Sequence, residues 1–246
     1  MSPGDRHQHF TAVILKHSDF GEGHSSFTLL EKDIGKIEVA AFGSAREKSR
    51  RRSSLLVGNL VKGIIYRKSD EDRFAIQDAD ILETYTGITS DLHKLSYLYL
   101  LFEILNNLLT PETPFPLFDP FVSVLRKMDC CPDFEKYFYH FIIRFFDHEG
   151  YLPDFGDPQE IQEALITPDF QPGNGTQRFI RDILEHANWV FLDPKSLSIS
   201  VASELLSLCS LLYRSQTGKK LLSLNLIGTG NENISHKTTQ NSEDGL

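Results

Sequence analysis

Ten residues, Gly43-Ser-Ala-Arg-Glu-Lys-Ser-Arg-Arg-Arg52, hold the densest chemistry in the chain: Arg46, Lys48, Arg50, Arg51 and Arg52 are all cationic. Guanidinium and ammonium groups at this spacing act by electrostatics, holding phosphates or carboxylates rather than breaking bonds. Residues 36–68 carry nine Lys or Arg against two acids, Glu38 and Glu47, a net +7 in a chain whose total is −9. The remaining residues therefore hold −16. Like charges brought together repel, and a polyanion relieves that repulsion. A nucleic-acid backbone is the commonest polyanion a soluble protein meets. A solvated, flexible loop is the alternative. Lys16, Lys36, Lys62, Arg67 and Lys68 are candidate flanking phosphate contacts, with an outward solvated charge as the alternative for each.

Nothing else nominates covalent chemistry. The cysteines are Cys130, Cys131 and Cys209, an odd number with no CxxC pair, so neither a disulfide framework nor a zinc site is expected. Cys130 and Cys131 read as two small buried thiols near a helix end, with a redox-active pair as the alternative. Of nine histidines, His7 and His9 fall in a terminus expected to fray, and no HxxxH or HExxH pattern occurs. No GxSxG elbow presents a serine nucleophile. The reading is a non-enzymatic protein with no cofactor and no metal.

The elements that must position the basic run are strands. Residues 10–17 (FTAVILKH), 26–31 (SFTLLE) and 36–42 (KIEVAAF) are short β-branched or aromatic runs separated by Gly-containing turns. Lys32-Asp-Ile-Gly35 makes a hairpin, with Gly35 supplying positive φ. After the basic loop come residues 55–68 and 74–85, joined by a polar tip at Asp70-Glu-Asp72. Gly58 and Gly63 within the fourth run mark a bend or bulge of the kind a small barrel needs at its corners. Five short strands in so few residues predict a compact barrel of the OB-fold type.

From Ser90 the apolar period becomes helical. Leu95, Leu98, Phe102, Leu105 and Leu109 form one stripe, with Ser90 or Asp91 as cap and Thr110-Pro-Glu-Thr-Pro as stop. Further helices are expected at 117–127, at 159–165, at 176–188, at 195–214 and along the stripe Phe134, Phe138, Phe141, Phe145, which reads as core. Gly218-Lys-Lys-Leu-Leu222 is a basic amphipathic turn, and a polar tail follows. Phe20, Phe42 and Tyr66 are of the type that stacks bases on such barrels, although strand alternation explains each as core.

The fold class is therefore α+β, a five-stranded OB-fold barrel followed by an all-α region. The expected division is a nucleic-acid-binding barrel over 1–85, a helical domain over 86–226 and a disordered tail over 227–246. With 40% hydrophobic and 24% charged residues the chain reads as globular. The N-terminus has no apolar run behind a positive end, and the most apolar stretch, 97–109, is shorter than the roughly 20 residues a bilayer requires. A soluble cytoplasmic protein without membrane contact is expected.

The order of these features resembles the DNA repair protein RecO family. The resemblance rests on Phe20-Gly21-Glu22, on Ala41-Phe42-Gly43 and the basic loop from Arg46 through Ser49, and on Leu82-Glu83 and Asp91-Leu92. It continues through Leu117-Phe118, Phe141 to Gly150-Tyr151-Leu152-Pro153-Asp154, and Thr217-Gly-Lys-Lys-Leu-Leu-Ser. Each motif is weak alone; order and spacing across residues 10–225 carry the match. Many members place two CxxC pairs just after Gly-Tyr-x-Pro-Asp, and here no cysteine follows Asp154 in that loop. The resemblance implies binding of single- and double-stranded DNA, annealing of complementary strands, and loading of the recombinase RecA, with RecR, onto DNA coated by single-strand-binding protein. It also implies a nucleoid association and recognition of the acidic C-terminal tail of the single-strand-binding protein. Such a tail wants an apolar groove with a basic rim, for which Arg126, Lys127, Lys136, Arg144, Arg214, Lys219 and Lys220 are the available cations. An OB-type adaptor for acidic peptides, or an RNA-binding module, are the alternative readings.

Overall fold

Phe10, Ala12 and Ile14 of the first strand share one face and enter a single apolar core, while Val13 and Leu15 between and after them are buried as well. In the computed structural model, which describes residues 7–20, 24–42, 54–67, 74–155, 157–165, 170–185 and 197–227, five strands follow. They are β1 (His7–Phe20), β2 (His24–Glu31), β3 (Gly35–Phe42), β4 (Leu60–Arg67) and β5 (Phe74–Glu83). They close into a barrel in the order β1-β2-β3-β5-β4. All neighbours are antiparallel except β3 and β5, which run parallel through Val39↔Phe74 and Ala40↔Ala75. Inward residues from every strand, among them Phe10, Phe27, Val39, Ile65 and Ile76, form one apolar core.

Two strand boundaries differ from the sequence expectation. His7 and His9 do not fray but pair with Tyr66 and Ile64. A closed barrel requires it, since β1 must reach β4 with its first half and β2 with its second. Residues 55–59 are not strand. Leu55 enters the core, and Gly58, at φ 95, turns the chain back so that its N–H donates to Ile14 O at 2.9 Å. Gly63 sits where β4 and β5 approach most closely: a Cβ there would lie 2.0 Å from Asp78 O. The register of that pair shifts between Ile64 and Ile65, and the extra residue lies in β5 rather than in the fourth run where the bulge is expected.

The hairpin at Gly35 forms as expected, at φ 88, but its anchor is a buried acid. Glu31 is 1% exposed, and its carboxylate accepts from the N–H groups of Asp33 (2.7 Å), Ile34 (2.6 Å) and Thr11 (3.3 Å). Two donors of the turn and one of β1 are thereby satisfied away from water.

Residues 109–123 group with the barrel in one compact unit, Met1–Thr86 with Leu109–Ser123. Because β5 meets β3 only near Val39 and Ala40, the first half of β3 leaves an edge open. Pro111 forms a parallel bridge to Lys36, and Glu112 N–H donates to Lys36 O at 2.9 Å. Lys32 Nζ meets Asp119 at 3.0 Å. Glu112 has φ 52, the one positive φ outside glycine among the described residues.

The second unit comprises Gly87–Leu108 and Val124–Leu246. The helices among the described residues are α1 (Thr86–Thr89), α2 (Leu92–Leu108), α3 (Phe118–Cys130), α4 (Glu135–His148), α5 (Pro158–Leu165), α6 (Asn174–Glu185) and α7 (Ile199–Thr217). Asp91 caps α2, accepting from His93 N–H at 2.8 Å. Phe134, Phe138, Phe141 and Phe145 are all buried, so that stripe is core. The α7 helix starts later than its apolar pattern implies, because Ser198 takes the cap and accepts from Val201 N–H at 3.3 Å. Its far end is closed by Gly218. Among the described residues no helix is long and apolar enough to cross a membrane.

Candidate nucleic-acid interface

Of the ten cations assigned to phosphate contact, Arg46, Lys48, Arg50, Arg51, Arg52 and Lys68 lie outside the described residues. The remaining four occupy distinct places on the barrel. After the bulge between Ile14 and Lys16, Lys16 faces outward opposite Thr28, which in turn opposes Glu38 on β3. Lys36 is outward and half-buried two residues before Glu38. Burial pulls its ammonium below the ordinary lysine range, with Glu38 pulling the other way. Lys62 is exposed between Thr11 of β1 and Asp80 of β5.

Arg67 is different in kind. It continues the inward series Val61, Gly63, Ile65, but at the mouth of the barrel, where no core remains to be filled. Its guanidinium lies 4.3 Å from the centroid of Phe74 and donates to Glu112 Oε2 at 2.7 Å. The four cations therefore occupy separate positions, and Lys36, Lys62 and Arg67 stand near Glu38, Asp80 and Glu112 respectively. Strand direction separates them further. Phe42, which leads into the basic segment, ends β3 where β1 also ends, whereas Arg67 ends β4, antiparallel to both.

The mouth on the Phe42 side carries a second stacked pair. His17 lies parallel to Phe27 at 4.7 Å and 11°, and its Nε2 is 2.9 Å from Asp19 Oδ1, which also accepts from Ser25 Oγ at 2.8 Å. The bulge between Ile14 and Lys16 puts His17 on the face of its partner Phe27, and no local pattern in β1 announces that bulge. Tyr66, read as core, is instead half-buried on the outside and tilted against His7 at 6.0 Å. The side chains of Phe20 and Phe42 fall outside the described part. The arrangement offers charge and flat rings at the barrel rim, and among the described residues no group of three or more His, Cys, Asp or Glu able to hold a metal.

Residues 6–85, which span all five strands, match the family described as Recombination protein O N terminal. A DNA repair protein RecO of Prosthecochloris aestuarii is 26% identical over 65% of this chain and 66% of its own length. One from Chlorobaculum parvum is 25% identical over 58% of this chain and 55% of its own. Another, from Gloeothece citriformis, is 31% identical over 48% of this chain and 42% of its own. Over residues 6–85 the chain is similar to the RecO family. Its matched part spans from under half to just under two thirds of these relatives.

The cations of the helices are likewise dispersed. Lys136, expected at an open rim, is 7% exposed and bridged to Asp133 at 2.6 Å. Lys127 and Lys136 flank the ring of Tyr137 at 5.4 and 5.1 Å. Burial lowers the pKa of Arg144, against the pull of Asp147. Arg126, Arg214, Lys219 and Lys220 are exposed, and Leu222 beside them is 73% exposed. Glu103 of α2 fixes this last segment by accepting from the N–H groups of Leu222 (2.9 Å) and Ser223 (2.8 Å). The cysteines correct another expectation: Cys209 is buried, but Cys130 is exposed and Cys131 partly so, because α3 ends there and its last residues have no further turn to pack against.

Proposed function

We propose that this protein is a recombination mediator of DNA repair that binds and anneals single-stranded DNA and, with RecR, helps load RecA onto DNA coated by single-strand-binding protein. The observation that carries the reading is the family match over residues 6–85, which contains the whole net +7 segment. Annealing needs phosphate repulsion screened while bases stay free to pair, and a sequence-neutral basic surface supplies that. The strand order β1-β2-β3-β5-β4 with parallel β3 and β5 supports an OB-type barrel, a scaffold suited to single strands. Arg46, Lys48, Arg50, Arg51 and Arg52 are the main contacts in this reading, with Lys16, Lys36, Lys62, Arg67 and Lys68 flanking. Residues 1–85 form the DNA-binding domain and 86–226 the partner-binding domain, in which Arg214, Lys219, Lys220 and exposed Leu222 suit the acidic tail of the single-strand-binding protein. The protein works at the nucleoid, in the cytoplasm, without a cofactor.

A fluorescence annealing assay with wild type and an Arg50, Arg51, Arg52→Ala variant tests this. The variant should anneal more slowly, and its single-strand binding should lose about two units of salt dependence, at roughly −0.7 per phosphate contact. An unchanged slope with unchanged annealing would reject the segment as the contact surface.

A further inference from the structure

Neighbouring residues of a helix point about 100° apart, so adjacent cysteines ordinarily keep their sulfurs separate. Where α3 ends, the sulfurs of Cys130 and Cys131 meet at 3.5 Å. The backbone is still helical in its hydrogen bonding, since Cys131 N–H donates to Lys127 O at 2.9 Å. Cys130 is exposed and Cys131 partly so, which leaves the pair open to reagents in solution.

Two chemistries use a close pair of thiols, and the geometry separates them. A disulfide needs sulfurs at about 2.05 Å and Cα atoms at least about 4.4 Å apart. Adjacent Cα atoms are about 3.8 Å apart, so oxidation would have to distort the helix end. A chelate needs less. Two bonds of about 2.3 Å to one soft centre, closing across 3.5 Å between sulfurs, meet at about 100°, an angle open to a pyramidal or tetrahedral ion. Thiolate ligands select soft ions. The surroundings also bear on the thiolate: burial and Cys130 hold the Cys131 thiol up, while Lys127 and Tyr137 pull it down.

We propose that Cys130 and Cys131 form a dithiol site for a thiophilic trivalent metalloid, of which an organoarsenical oxide is the simplest probe. In that reaction two arsenic–sulfur bonds form as the arsenic–oxygen bond breaks. The two thiol protons leave with the oxygen as water, and arsenic stays trivalent, so no oxidant or reductant is required.

The test is titration of the reduced full-length protein with phenylarsine oxide, read by intact mass and by peptide mapping. One equivalent should attach at residues 130–131, resist a large excess of the monothiol glutathione and come away with dimercaptopropanol. Cys130→Ser and Cys131→Ser should each weaken retention at least tenfold while circular dichroism stays unchanged. Retention equal to wild type in either variant, or release by glutathione as easy as from a single thiol, would overturn the assignment.

Discussion

Arg67 and Glu112, 45 positions apart in sequence, meet at 2.7 Å over the ring of Phe74. Neither side chain is buried: they are 42% and 48% exposed. An exposed ion pair contributes about 0–1 kcal/mol, whereas a non-glycine residue held at positive φ costs on the order of 1–3 kcal/mol. Glu112 is thus kept in place by its backbone bond to Lys36 and by the strap around it rather than by the charge pair. Its carboxylate lies where a phosphate would sit on a stacked guanidinium.

Replacing Glu112 with Gln keeps the backbone bond and removes the charge. Affinity for a short single strand should rise severalfold at low salt, and the salt dependence should steepen by about 0.7 as Arg67 gains a phosphate. Adding Arg67→Ala should cancel both changes. Binding titrations across salt concentration check this, and a Glu112→Gln curve that overlays wild type would remove Arg67 from the contact surface.

What was legible in the sequence follows from how local the cause is. Positive φ at Gly35 and the aromatic stripe of α4 are each set within a few residues, and the structure keeps both. Glu31 looked like one more acid at a strand end; only the closed barrel shows that it is sealed under a turn and Thr11. His17 gave no signal, because the bulge between Ile14 and Lys16 that turns it towards Phe27 is set by pairing with β2. Glu112 gave no local signal at all, its two partners lying in β3 and β4. The exposure of Cys130 was misjudged by the general tendency of thiols to be buried, which says nothing about the last residue of a helix.

Gly63 offers a test of barrel closure that is independent of DNA. A methyl group there meets backbone, Asp78 O at 2.0 Å, and not a movable side chain. Gly63→Ala should therefore part β4 from β5 and cost about 3 kcal/mol, the upper end of overpacking. Gly150 is the control: it has φ 72 but open space around its Cα, so Gly150→Ala should cost only about 1–2 kcal/mol, the price of a left-handed backbone. Urea unfolding of both variants decides it. Equal losses would show that strand spacing at Gly63 relaxes freely.

Acid stability should report on Glu204 of α7. Its carboxylate accepts from Thr176 Oγ1 and from Gly173 N–H, both at 2.7 Å, at the start of α6. These bonds, the Thr176 hydroxyl foremost, hold its pKa below the ordinary 4.5, against a small opposing effect of burial. A carboxylate with a depressed native pKa stabilises the fold fully above its unfolded value and loses that contribution as pH falls through the native one. Wild type should accordingly lose stability below about pH 4.5 more steeply than Glu204→Gln, and the two should converge at the acid end, the variant being weaker near neutrality. Thr176→Val should shift the wild-type curve the same way as Glu204→Gln but by less, since the Gly173 bond survives. Urea midpoints for the three proteins between about pH 7 and pH 3 make the comparison. Parallel curves throughout would mean that Glu204 titrates alike in the folded and unfolded chains.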